Sequence, residues 1–234
     1  ASDITNLYNA TKITNISSVS TTGQTLNLEM GNNNGTDTVY DTGTLGLNQT
    51  ETGTVTFSNT GVDFPGTNNN YLSGTGTGVL NSASQSIAIK FTPDFDWDQD
   101  TTRFILDTGT PNQSYFILKR NDASSNTLDI RLGGATTIAI PSATYSPYWK
   151  INEENILIYS GTTGNNNAWL NGVQVLTANA TAWSGTNPTN IIIGAQYNGQ
   201  LAFDGEIHYF QTWNRILTAT EIASLSADRK TNLQ

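Results

Sequence analysis

The chain has 234 residues, of which 12 % are charged and 36 % hydrophobic, with a net charge of −9. That charged fraction is about half the usual share of a soluble domain, which excludes a coiled coil, a charged helix bundle and a charge-driven disordered chain. Ten Lys and Arg are too few for a phosphate track or an anionic-lipid patch, so nucleic acid is not expected; there is no run of 18 apolar residues, so membrane insertion is not expected either; and zero cysteine removes disulfides, thiolate zinc and cysteine nucleophiles. Residues 1–22 are mostly polar, with Leu7, Tyr8, Ile13 and Ile16 as the main apolar anchors, and read as an N-terminal arm or an added edge strand. Such an arm can dock on a protein partner in a surface or virion assembly. The opening Ala1-Ser2-Asp3 fits a mature end after signal cleavage or a start after loss of the initiator Met. Residues 23–234 read as one domain. Short apolar runs with period two follow: Thr54–Phe57, Ser86–Phe91, Tyr115–Leu118, Leu128–Leu132, Thr137–Ile140, Ile156–Tyr159, Ala168–Leu170, Val173–Val175 and Ile191–Ile193. Turn residues at about 8–12-residue spacing separate them, which predicts an all-β sandwich or barrel. Asn171-Gly172 between two such runs predicts a tight hairpin. Thr218-Ala219-Thr220-Glu221 forms a capping box ahead of Ile222 and Leu225, predicting one short C-terminal helix against the sandwich edge.

Asp94-Phe95-Asp96-Trp97-Asp98-Gln99-Asp100 is the densest acidic run. In an extended conformation its four Asp share one face, and a hard cation such as calcium would offset their repulsion. From Asp96, residues Asp98 and Asp100 fall at positions three and five of a calcium loop, but Thr101 stands where an EF-hand needs Gly. The run is therefore a calcium site of another kind, through Asp96, Asp98 and Asp100, or a solvated loop. Sugar binding needs aromatic faces flanked by amide and carboxylate hydrogen-bonders. Trp183, among small polar residues, is the first platform candidate; Tyr197 with Asn198, and Trp97, come next. Trp149, Trp169 and Trp213 fall at strand positions and read as packing residues.

Phe203-Asp204-Gly205-Glu206-Ile207, Trp213-Asn214-Arg215-Ile216-Leu217-Thr218 and Glu221-Ile222-Ala223-Ser224-Leu225 together resemble the closing stretch of the laminin-G-like, concanavalin A-like lectin/glucanase domains. Ala168-Trp169-Leu170-Asn171-Gly172-Val173 resembles that family's Asn-Gly hairpin, and Val62–Thr67 its early strand and turn. The resemblance implies a two-sheet antiparallel jelly-roll sandwich. It also implies a structural calcium held by Asp204 and an early acidic residue, for which Glu29 is the match; the alternative for Asp204 is an ordinary turn role. The family contains lectins, glycosidases, lyases and structural modules, so it does not imply one function. The carboxylate spacing of its hydrolases, E-x-D-x-E or E-x-D-x-x-E, is absent. Glu206-Ile207-His208 resembles the Q-I-H of alginate lyases with Gln replaced, and His208, the single histidine, is expected on an outward strand face. The expectation is a non-catalytic adhesion module, extracellular or on a cell or virion surface, that binds a polysaccharide or glycoprotein glycan. A structural decoration or spacer protein is the alternative, and a polysaccharide hydrolase or lyase the third reading.

Overall fold

Period-two patterning becomes strands along the domain, and apolar residues of alternate positions meet between two sheets. The computed structural model describes residues 19–31, 33, 37–80, 83–109, 115–122, 125–133, 137–183 and 188–228. One sheet runs β14 (Val173–Asn179), β13 (Asn165–Leu170), β12 (Asn155–Thr162), β7 (Ser84–Pro93), β16 (Asp204–Trp213), β5 (Val62–Pro65) and β4 (Thr56–Phe57), with β1 (Gln24–Glu29) also paired to β16. The second runs β11 (Ile138–Pro141), β10 (Ser125–Arg131), β9 (Phe116–Asp122), β8 (Arg103–Asp107), β15 (Asn190–Ile193), β6 (Tyr71–Thr75), β3 (Gln49–Thr52) and β2 (Thr38–Val39). The pairings are antiparallel, and the architecture is a jelly-roll sandwich. The β13–β14 hairpin turns on Asn171 (φ 53°) and Gly172 (φ 82°), the two positive φ values that a tight hairpin of this twist requires.

The core between the sheets contains an aromatic cluster. Phe203 stands edge-on to Phe64, Phe91 and Phe95 at centroid distances of 6.2, 5.9 and 5.6 Å, and Trp149 leans on Phe91 and Phe95 at 5.5 Å each. Gly194 (φ +89°) is required here, because a Cβ would sit 2.3 Å from the Phe64 ring.

The C-terminal helix, Ala219–Ala227, begins at the capping box read from the sequence: Thr218 accepts from the Glu221 amide and Glu221 accepts from the Thr218 amide. Such a cap stabilises a helix by about 1 kcal/mol. The helix does not lie at the sandwich edge, as expected, but on the outer face of the first sheet. Ala88, Ile156, Ile158, Tyr209 and Trp213 point outward there, and Ile222 and Leu225 cover them. Each such side chain contributes about 1.5–3 kcal/mol on burial.

Residues 1–18 of the expected arm lie outside the described residues. Val19 packs beside the helix cluster. Ser20 is clasped: its amide donates to Glu221 Oε1 (3.0 Å), and its carbonyl accepts from Trp213 Nε1 (3.2 Å) and Arg215 Nη2 (3.0 Å). Arg215 grips the Glu221 carboxylate with both terminal nitrogens, at 2.7 and 2.8 Å. That guanidinium, ahead of the helix-cap amides, pulls the Glu221 carboxyl down to about 2. No helix among the described residues is long and apolar enough to cross a membrane.

Candidate functional site

The five tryptophans divide by the fate of the indole N–H. A buried indole needs an acceptor. Trp149 donates to Phe95 O (3.2 Å), Trp213 to Ser20 O (3.2 Å) and Trp183 to Asn166 Oδ1 (2.7 Å). Trp183, expected as the exposed sugar platform, is only 6 % exposed and belongs to the main core. The reason is Asn166, buried on β13. Its Oδ1 accepts from Trp183 and from the Tyr159 hydroxyl (2.9 Å), while its Nδ2 donates to the carbonyls of Asn179 and Thr181, both at 2.8 Å. One amide thus folds the loop and its tryptophan over the sheet end, and Trp183 is not available to a ligand.

Trp97 and Trp169 are the half-buried pair, and no described residue accepts from either indole N–H. Trp97 leans on the main core, and no hydrogen bond or ring contact among the described residues links it to Tyr197. Trp169 was read as packing. It does touch the helix cluster, but its ring lies on the outer sheet face beside Asn167. The alternation along β13 carries that signal, since Asn166, Ala168 and Leu170 point in and Asn167 and Trp169 point out.

Tyr197 and Asn198 are exposed, at the apex of the loop between β15 and β16, with residue Tyr197 37 % exposed. The loop closes on itself: Gln196 N donates to Gln200 O (2.9 Å), Gly199 N to Gln196 O (2.8 Å) and Gln200 N to Asn198 Oδ1 (3.1 Å). A second loop abuts it through Asn69 N, which donates to Gly199 O at 2.7 Å. The exposed residues Asn68, Asn69, Asn198 and Gln200 make this rim rich in amides and free of charge. Beneath it, Asp107 is fully buried and accepts from the amides of Tyr197 (2.9 Å) and Thr108 (2.7 Å). Burial pushes the Asp107 carboxyl up to about 6, against the amides of Tyr197, Thr108 and Gly109, which hold it down.

The acidic run does not form a shared strand face. β7 ends at Pro93 and residues 94–100 make bends and turns, with Phe95 turned into the core. The loop wraps Lys119 instead. Lys119 is fully buried on β9, and its Nζ donates to the carbonyls of Gln99 and Thr101. Burial pulls this ammonium down, and Asp98, Asp100 and Asp96 hold it up. A buried cation of the protein's own thus lies under the run, Asp98 and Asp100 stay exposed, and among the described residues Asp96, Asp98 and Asp100 do not converge into a calcium site.

Glu29 and Asp204 do not fit one either. Glu29 pairs with Tyr209, five residues along β16 from Asp204, a separation of about 17 Å on a strand. Asp204 instead pairs with Arg103 (3.2 Å), whose other terminal nitrogen donates to Gly66 O (2.8 Å) and Ala202 O (2.9 Å). Nearby, Asp63 and Asp94 have carboxyls raised by lost hydration first and by neighbouring carboxylates next, Asp204 and Glu206 among them. Glu206 Oε1 accepts from the Ser58 (3.0 Å) and Thr60 (2.8 Å) hydroxyls. The His208 ring is wedged between Thr92 Oγ1 (2.9 Å) and Thr60 O (3.2 Å). Among the described residues no three acidic or histidine side chains converge as a cation would require.

A family model described as the concanavalin A-like lectin/glucanases superfamily matches residues 65–223. No curated protein sequence matches the chain. Several solved structures share the fold. Domain 4 of a GH43 extracellular arabinanase from Geobacillus stearothermophilus, in complex with arabinotriose, is 17 % identical with a TM-score of 0.62, over 87 % of this chain and 99 % of that one. Trypanosoma rangeli sialidase is 15 % identical with a TM-score of 0.64, over 89 % of this chain but 33 % of the sialidase. The binding domain of botulinum neurotoxin serotype D is 11 % identical with a TM-score of 0.67, over 90 % of this chain and 52 % of that domain.

Proposed function

The chain belongs to the concanavalin A-like lectin/glucanases superfamily, and on that premise we propose that it is a non-catalytic glycan-binding module used for adhesion at a cell or virion surface. The observation that carries this reading is the rim at Tyr197. An aromatic ring stands exposed at the apex of a closed loop, and uncharged amides surround it. A sugar presents C–H faces to an aromatic ring and hydroxyls to amides, and it brings no charge to be offset. The buried Asp107 holds the Tyr197 backbone before any ligand arrives, so little ordering remains to oppose binding.

Two further observations support it. The arabinanase domain that shares the fold along its whole length was captured with arabinotriose. Of the four carboxylates at the start of β16, Asp204 is committed to Arg103 and Glu206 to two hydroxyls, and the ring of His208 is held on both nitrogens, while Asp63 and Asp94 face solvent. A glycosidase needs two carboxyl groups facing each other across a bond, one of them protonated.

The test is a glycan array probed with the purified protein, with calcium and then with chelator. Binding insensitive to chelator, and lost in Tyr197→Ala and in Asn198→Ala, is the expected result. Binding unchanged in both variants would remove the rim, and hydrolysis of any arrayed glycan would remove the non-catalytic reading.

A further inference from the structure

Trp169 floors a groove on the opposite side of the first sheet from the core. The groove has a volume of about 470 Å³ and lies between β13, the Asn171-Gly172 turn and the C-terminal helix. Its walls are Gly172, Ala219 and Ala223, with Ile222 behind them and Asn167 and Ser226 at the polar edges. The small walls leave part of the half-buried indole exposed. Ala223 is exposed on the helix, and a Cβ on Gly172 would come within 3.4 Å of the Ser226 Cβ, so the turn and the helix approach closely at one end.

We infer that this groove is a second binding site, for the uncharged face of a mono- or disaccharide stacked on Trp169. Size is the first argument. The volume falls within the roughly 300–1,000 Å³ of small-ligand sites. Seven residues line it, whereas a protein partner would need some 20–30 a side. Charge is the second. None of the lining residues is charged in a chain of net charge −9, so the groove attracts neither a cation nor an anion. Hydrogen-bonding capacity is the third. Asn167 Oδ1 is fixed by Gln174 Nε2 (3.1 Å) and the Ala178 amide (2.9 Å), and its Nδ2 gives one hydrogen to Asn165 Oδ1 (3.3 Å), which leaves the second to donate. Ser226 Oγ gives its hydrogen to Ile222 O (2.7 Å) and keeps its lone pairs. The Trp169 N–H has no acceptor among the described residues. Neutral donors and acceptors beside an aromatic face match hydroxyls on a C–H-rich ring, and they supply no cationic partner to a carboxylate or phosphate.

The site is independent of the rim at Tyr197, and the experiment keeps the two apart. The Tyr197→Ala protein is titrated with arabinotriose, xylobiose, cellobiose, lactose and anionic 3′-sialyllactose, reading tryptophan emission and heat. The expected result is a shift in emission on binding a neutral sugar, with at least about a tenfold weaker response to the sialylated one. Ala223→Gln should weaken neutral-sugar binding about tenfold or more with little change in melting temperature, because position 223 is exposed on a helix and Gln ranks only a little below Ala as a helix former. Trp169→Ala should abolish the emission shift. If none of the neutral sugars binds to the Tyr197→Ala protein, if Ala223→Gln binds as tightly as its parent, or if the anionic sugar binds as well as the neutral ones, the inference fails. Loss of binding only on Tyr197→Ala would leave the rim and remove the groove.

Discussion

Two loops of this protein rest on buried charges of opposite sign. Under the acidic loop 94–101 lies the Lys119 ammonium, and under the amide-rich loop 196–200 lies the Asp107 carboxylate. A buried cation gathers carbonyl oxygens, and the acidic loop turns those of Gln99 and Thr101 inward. A buried anion gathers N–H groups, and the rim turns the Tyr197 amide inward. The outward characters then diverge. Asp98 and Asp100 face solvent as carboxylates above the buried ammonium. Tyr197 and Asn198 face solvent with no charge beside them to oppose a neutral ligand. What a loop offers to the outside thus depends on the strand residue beneath it as much as on its own sequence.

The comparison breaks most visibly at Lys119. Lys119→Met strips the acidic loop of its counter-ion and leaves two inward carbonyls without a donor. A buried acceptor left without its donor costs about 1–3 kcal/mol, to be read by urea denaturation; a cost under about 1 kcal/mol would show that solvent, not Lys119, serves these carbonyls. Asp107 acts in the opposite sense and through pH. Its folded value of about 6 lies above the ordinary 3.8. The folded state therefore takes up a proton first, and stability rises as pH falls from about 7 towards 4, by about 3 kcal/mol from this group. Glu221 has the reverse sign in a lower window. Its contribution is complete above about 4.5 and is lost as pH falls through about 2. Asp107→Asn should flatten the upper window and leave the lower one intact, seen as melting temperature against pH. Tyr197→Ala should change stability by no more than about 0.5 kcal/mol while removing rim binding. Last and smallest, chelator should leave the wild-type melting temperature where it was. A fall would point to a bound divalent cation, since a ligand at 100 times its dissociation constant adds about 2.7 kcal/mol.

Much of the sandwich was legible because its signals are local. Asn171-Gly172 specifies its own backbone angles, Thr218 and Glu221 find each other three residues apart, and alternation along β12 and β7 needs no distant partner. Sites were harder because their partners are remote. Trp183 sits in a segment of small polar residues, and its burial depends on Asn166, 17 positions away on β13. The acidic run suggested an external cation because Lys119, from another strand, could not be placed under it. Pairing Glu29 with Asp204 required a register that patterning does not supply, and the actual register sets Glu29 against Tyr209. Trp169 was the opposite case: the alternation placing it outward beside Asn167 was present, yet its position in a strand suggested packing.

The clasp around Ser20 has a mechanical consequence. β1 and β16 are antiparallel neighbours whose Gln24 and Trp213 ends lie side by side, so the chain enters and leaves the sheet at the same place. Tension applied between residues 19 and 228 would peel these strands apart one bond at a time rather than shear them. Before it reaches them it must open the Ser20, Arg215 and Glu221 contacts. Those contacts therefore act as a latch in series with the sheet, so a pull between these residues loads the latch before the strands behind it.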